Sequence, residues 1–133
     1  MNKSAKIIIS VGSNHDQQAH IDMARKYLRE AFHGVSFTEA IWTDPIGLVS
    51  DRYLNMLAVA DTPTDEVATK AVLKKIESLC GDTRQLRSQN IVNMDLDLLS
   101  FGTEKRHIAD WERPYIKKLM LCLDISSSLS HSC

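Results

Sequence analysis

Net charge is scarce in this chain of 133 residues: 16 Lys and Arg stand against 17 Asp and Glu, leaving −1 and a pI near 6.5. That balance leaves no basic footprint for nucleic acid or for an anionic membrane surface. Cysteine is scarce too. Cys80, Cys122 and Cys133 are an odd, scattered set without metal-ligand spacing, and they read as reduced thiols. Long hydrophobic runs are missing. The run over residues 7–11 follows a polar start and is too short for a signal segment or a membrane span, so it reads as a buried strand of a soluble, cytoplasmic protein. There is no glycine-rich phosphate loop either: Gly12-Ser13-Asn14 is too short for one and reads as a turn. Internal repeats and a second domain are absent, which leaves one domain over residues 1–123, long enough to bury a real core.

What is present is a regular alternation of element types. Residues 5–11 form a β-branched strand, and a helix follows over 16–32, with Ile21, Ala24, Leu28 and Ala31 or Phe32 as its apolar stripe and His33-Gly34 as its glycine cap. Residues 35–42 alternate as a strand, 43–51 make a Pro- and Gly-punctuated loop, and 53–60 make a third strand. A second helix opens at 62–66 with acidic residues, buries Val67, Ala71, Val72, Ile76 and Leu79, and stops at Cys80-Gly81. A polar loop over 82–90 leads to a strand that begins near Asp95. The order β-α-β-β-α-β predicts a ferredoxin-like α+β fold: a four-stranded antiparallel sheet with two helices on one face and the other face open. Beyond Gly102 the signals weaken; residues 116–123 are expected as a further strand and 124–133 as a disordered tail.

The chemistry concentrates in Asn93-Met94-Asp95-Leu96-Asp97-Leu98-Leu99. On a strand, side chains two apart share a face, so Asp95 and Asp97 stand together, roughly 6.5–7 Å apart at Cα, with Met94, Leu96 and Leu98 turned into a core. Paired carboxylates repel unless a cation lies between them. Mg²⁺ takes one or two protein carboxylates and completes its shell with phosphate oxygens and water. A Mg²⁺–nucleotide site and a solvated strand face both fit this segment alone.

Five pieces, in this order and spacing, resemble one family. They are Ser10-Val11-Gly12-Ser13-Asn14, then Trp42-Thr43-Asp44-Pro45-Ile46-Gly47, then Tyr53-Leu54-Asn55, then Ile76-Glu77 with Gly81 and Arg84, and finally Asp95-Leu96-Asp97-Leu98-Leu99. Over residues 5–102 the chain resembles 6-hydroxymethyl-7,8-dihydropterin pyrophosphokinase, an enzyme of folate synthesis. The resemblance implies transfer of the β,γ-pyrophosphate of ATP to a reduced pterin, with Asp95 and Asp97 holding two Mg²⁺. It implies Tyr53 against the pterin ring, with Asn55 and the main chain of Thr43 and Pro45 reading the ring edge. Arg84 and Arg87 would be the catalytic cations, with ATP and the pterin as partners and no protein partner identified.

The departures are as specific as the matches. Where the family carries an arginine after the glycine, this chain has Asp82; its arginine before the first aspartate is Val92 here, and its Arg-Trp pair is Ser88-Gln89. Its Pro-His and Arg-x-Phe are reduced to Arg113-Pro114-Tyr115 and Lys117-Lys118-Leu119, with Leu119 in the place of the second aromatic. One well-placed arginine on a transferring phosphoryl group is worth roughly 10³–10⁵ in rate. Arg87, Lys105, Arg106, Arg113, Lys117 and Lys118 are the available replacements. Three readings stay open: a divergent working pyrophosphokinase, a degenerate relative that binds a pterin, nucleotide or protein partner, and an unrelated module with an open sheet face.

Overall fold

Alternation in the first strand decides the layering. The computed structural model describes residues 4–47 and 50–129. In β1 (Ala5–Ser13), Ile7, Ile9 and Val11 enter the larger core while Ile8 packs toward a smaller one on the opposite side. The larger core is closed by α1 (Gln17–Ala31) through Ile21, Ala24 and Leu28, as the periodicity predicts, and by α2 (Glu66–Leu79) through Leu73 and Ile76. Met94, Leu96 and Leu98 complete it from β5 (Asp95–Phe101) and the residue before it.

The result is a mixed α/β fold around an antiparallel sheet. Its remaining strands are β2 (His33–Phe37), β3 (Ile41–Thr43), β4 (Tyr53–Thr62) and β6 (Glu104–Lys105). The order is β2-β4-β1-β5-β6, with β3 also on β4, and every pairing is antiparallel. Six strands replace the expected four. The strand expected over 35–42 breaks at Thr38, whose hydroxyl accepts the Leu57 N–H at 2.9 Å while its own N–H donates to the Leu57 carbonyl at 2.9 Å. The chain then re-pairs through Ile41–Thr43, and Gly102 returns it into the short β6.

Other expectations also need correction. Gly12 and Ser13 are not a turn; β1 runs through both, opposite Asn55 and Leu54. The α1 helix ends at Phe32, and His33-Gly34 opens β2. In α2 the buried residues are Thr69, Leu73, Ile76 and Glu77, whereas Val67 and Leu79 face solvent. The polar loop contains a short α3 (Arg84–Ser88) with Thr83 as its N-cap. Residues 116–123 are not a strand: α4 (Pro114–Leu129) is a helix that takes in part of the expected tail, and 130–133 lie outside the described residues, as do 48 and 49 of the expected loop. Cys80 is buried and free, as expected of a reduced thiol.

Nor is the second sheet face open. Ile116 and Leu119 of α4 pack on Leu57 and Leu99, all fully buried, with Ile8, Ile41, Trp111 and Tyr115 around them. A β-bulge sets this up: Ile9 pairs with Leu98 and Ile8 with Ser100, so Leu99 is the extra residue. Its carbonyl accepts both the Arg106 N–H at 2.8 Å and the Trp111 indole N–H at 3.1 Å. Those two bonds anchor a 3₁₀ turn (Ile108–Glu112) that crosses toward the cavity described next. Among the described residues no helix is long and apolar enough to cross a membrane.

Candidate active site

The α4 side of the sheet keeps one end uncovered, and there the strands expose a polar row. Gly12 of β1 is registered against Asn55 on one side and Asp95 on the other; Ser10 is registered against Leu57 and Asp97. Two strand spacings, about 9.5 Å, therefore separate the Asn55 and Asp95 backbones, with only a glycine between them. Ser10, Gly12, Asn55, Asp95 and Asp97 line a cavity of about 220 Å³ together with Thr43, Asp44, Ile46, Tyr53, Asp110, Arg113 and Tyr115. Of the residues read from sequence, Thr43, Tyr53, Asn55, Asp95 and Asp97 are brought together here. Pro45 lies beside them in the chain but is not among the lining residues.

Asn55 is buried, and its amide Nδ2 donates to the Thr43 hydroxyl at 2.6 Å. That bond fixes the amide plane and leaves its other groups for a ligand edge. Tyr53 lies two residues away on the same face of β4. Burial, and next the Asp95 carboxylate, raise its phenol. Burial pushes the Tyr115 phenol up to about 12. Both rings stay neutral through physiological pH.

The two aspartates carry opposite fates. Burial first, then the Asp95 charge, push the Asp97 carboxyl up to about 6; the His107 imidazole, at 4.0 Å, works the other way. Asp95 instead has a cation: the Arg87 Nη2 donates to its Oδ1 at 3.3 Å. The same guanidinium donates from Nε to Asp82 Oδ2 at 2.7 Å and from Nη2 to the Met94 carbonyl at 3.0 Å. Asp82, the charge reversal noted in the sequence, therefore faces Arg87 rather than the cavity. Glu77, also buried, accepts the Leu96 N–H at 2.8 Å along an edge of β5 that no strand pairs there.

Arg84 and Arg87 are not on the cavity wall. They line a neighbouring hollow with Lys74, Glu77, Ser78 and Asp82, and only Arg87 touches the aspartate pair. Val92 is buried, and both its backbone groups are taken by Asn14: its N–H by the side-chain Oδ1 at 2.7 Å, its carbonyl by the Asn14 N–H at 3.0 Å. Leu119 is fully buried in the smaller core and cannot reach a ligand; Tyr115, one turn earlier, reaches the cavity instead.

Ser10, Gly12, Asp110 and Tyr115 were missed from sequence. For the first two a signal existed, since small residues at 10 and 12 alternate with the apolar Ile9 and Val11 and so mark a bare strip on the other face. Asp110 sits in a non-periodic turn and gave none.

The donor set fits a hard cation. Two carboxylates share one strand face, one is desolvated enough to hold its proton near pH 6, and the wall around them is polar. Among the described residues no group of three or more His, Cys, Asp and Glu side chains forms a site by itself. A cation held here by Asp95 and Asp97 would need further ligands from outside the chain, such as phosphate oxygens and water, which suits Mg²⁺.

No curated relative matches the chain. A family model does: residues 8–125 match 7,8-dihydro-6-hydroxymethylpterin-pyrophosphokinase, so the chain belongs to that family.

Proposed function

We propose that this family member transfers pyrophosphate from Mg-ATP to the hydroxymethyl group of 6-hydroxymethyl-7,8-dihydropterin, a step of folate synthesis. The observation that carries the reading is the row Asn55–Gly12–Asp95: a ring-recognition pair and a carboxylate pair face one cavity across a bare strand. The finer label for the fold, a ferredoxin-like β-α-β-β-α-β core with β3 and β6 as additions, belongs to the same proposal.

In this reading the pterin lies against Tyr53, a neutral flat ring suited to stacking. Asn55, held by Thr43, meets the amide edge of the pterin, and the main chain of Thr43 and Pro45 reads the same edge. Asp95 and Asp97 hold Mg²⁺, two ions by the family resemblance. When bound, Mg²⁺ supplies the charge neutralisation across the triphosphate. The hydroxymethyl oxygen forms a bond to the β-phosphorus, the α–β bridge breaks, AMP leaves with the bridging oxygen, and the hydroxyl proton goes to water. The work of the chain is alignment, because phosphoryl transfer responds mainly to positioning and electrostatics. Arg87 places positive charge on Asp95, and Arg84, three residues earlier in α3, adds a cation to the neighbouring hollow.

A second reading, a binder that has lost transfer, is favoured by Arg87, which already gives Asp95 the positive charge a metal would bring. The deciding measurement is AMP formation by purified protein with ATP, Mg²⁺ and the reduced hydroxymethylpterin. AMP above background supports transfer; pterin binding without AMP supports the binder.

The row also makes a local prediction. A Cβ on Gly12 would lie 2.7 Å from Asn55 Oδ1, and Asn55 is pinned by its bond to Thr43. Gly12→Ala is expected to cost about 1–2 kcal/mol of stability by overpacking and to weaken pterin binding about tenfold or more by tilting the amide. Urea unfolding and pterin-fluorescence titration read the two effects, and unchanged pterin affinity would remove Asn55 from the recognition edge.

A further inference from the structure

We propose that Arg113 is the side chain with which this chain grips the ATP triphosphate, aimed by Asp110, and that it stands in for the arginines the family carries where this chain has Asp82 and Val92. This rests on the pyrophosphokinase reading above.

Among the described residues that line the cavity, Arg113 is the single basic side chain; the charged residues beside it are Asp44, Asp95, Asp97 and Asp110. A polyanion entering that wall meets four carboxylates, so it needs metal ions and at least one fixed cation. Most of the other candidate cations are engaged elsewhere. Arg87 is forked between Asp82 and Asp95, Arg106 donates twice to Glu66 at 2.8 and 2.9 Å, Lys117 meets Glu112 at 2.9 Å, and Lys105 lies 4.6 Å over the Trp111 ring. The Val92 position offers no route, because its backbone is clamped by Asn14 and its side chain is buried.

Arg113 is held as a ligand-ready guanidinium. Its Nε donates to Asp110 Oδ1 at 2.9 Å, which orients the planar fork and leaves the two terminal nitrogens for phosphate oxygens. The side chain is about one-third exposed, 34%, so it is neither locked in a core nor loose in solvent. Its backbone is fixed at the junction between the 3₁₀ turn and α4, where its N–H donates to the Asp110 carbonyl at 3.0 Å and Lys117 N–H bonds its carbonyl at 3.0 Å. The Trp111 indole, bonded to the Leu99 and Arg106 carbonyls, ties that junction to the sheet.

The test compares full-length wild type, Arg113→Met, Arg113→Lys and Asp110→Asn. Calorimetry reads Mg-ATP affinity and steady-state AMP release reads turnover. Arg113→Met keeps the stem and removes the fork; it is expected to lower kcat/KM for ATP by about 10²–10³ while leaving pterin affinity within about twofold. Arg113→Lys recovers about tenfold of that loss, and Asp110→Asn loses roughly three- to tenfold in KM for ATP. A purely structural role for the Asp110–Arg113 pair would instead weaken ATP and pterin together. The proposal is overturned if Arg113→Met matches wild type within about twofold for both Mg-ATP affinity and turnover, or if ATP and pterin binding fall in parallel. If wild type binds Mg-ATP through Arg113 but releases no AMP, the transfer reading fails and Arg113 stands as a nucleotide-binding residue. If wild type binds no Mg-ATP, both fall.

Discussion

Replacing Asp97 with asparagine is expected to abolish Mg²⁺-dependent turnover while making the ligand-free protein more stable. In the proposed function the loss follows from removing one of the two carboxylates that would hold the metal. A metal contributes several kcal/mol of transition-state charge stabilisation, so the rate should fall by on the order of 10³-fold or more. The gain follows from linkage. Asp97 titrates near 6 in the folded chain against 3.8 in the unfolded reference, so folding disfavours its ionised form. That penalty is full above pH 6, shrinks as pH falls between 6 and 3.8, and is gone below. Two pKa units correspond to about 3 kcal/mol, and partial solvent access reduces this to roughly 1–3 kcal/mol. The neutral amide of the Asp97→Asn variant carries no such penalty. Denaturation of the two proteins at about pH 7.5 and about pH 4.5, without ligand, should show the variant ahead at the higher pH and nearly level at the lower. A variant that is less stable at the higher pH would refute the penalty on the ionised Asp97, and one that keeps Mg-ATP turnover would remove Asp97 from the metal role.

Arg87→Met should be the most damaging single change to the fold around the site. It strips the counter-charge from Asp82, whose side chain is only 8% exposed, and from Asp95, and it removes a cation 3.8 Å from buried Glu77. Breaking a buried pair by deleting one partner costs about 3–5 kcal/mol, and the partial exposure of Arg87 places the expected loss near 3 kcal/mol. Arg87→Met combined with Asp82→Asn is expected to recover at least half, which separates electrostatics from lost packing. Equal destabilisation in the single and double variants would refute the pairing. This pairing also shows where the acidic residue at position 82 is spent: Asp82 anchors Arg87 and does not line the cavity.

The strand on which both aspartates lie was legible because a period of two is a local property, and Leu96 and Leu98 enter the core as that period requires. The α1 stripe was legible for the same reason. The α2 stripe was misphased because two of its buried residues are polar. Thr69 shares hydroxyl bonds with Thr62 and Thr64 at 3.1 and 3.0 Å, and Glu77 serves the Leu96 N–H, neither of which hydropathy reveals. The α4 helix was readable in principle, since Ile116 and Leu119 recur at helical spacing, but β-strand reading of a short apolar run won. Thr38 broke a strand through a side-chain bond to a residue 19 positions away, which no local pattern carries. The cavity wall from Asp110 to Tyr115 depends on the bulge at Leu99, a register event that only pairing exposes.

The strand register has a metrological consequence. Within the described sheet β4 and β5 are each paired to β1, which lies between them. The Tyr53–Asn55 half of the cavity and the carboxylate half are thus gauged against one common ruler, and each half can be internally correct while their separation is wrong. A two-residue slip along β1 would preserve every inward and outward side chain yet displace one half by roughly 7 Å. The tolerance of the whole site is therefore set by how firmly a strand that bears almost none of its chemistry keeps its place.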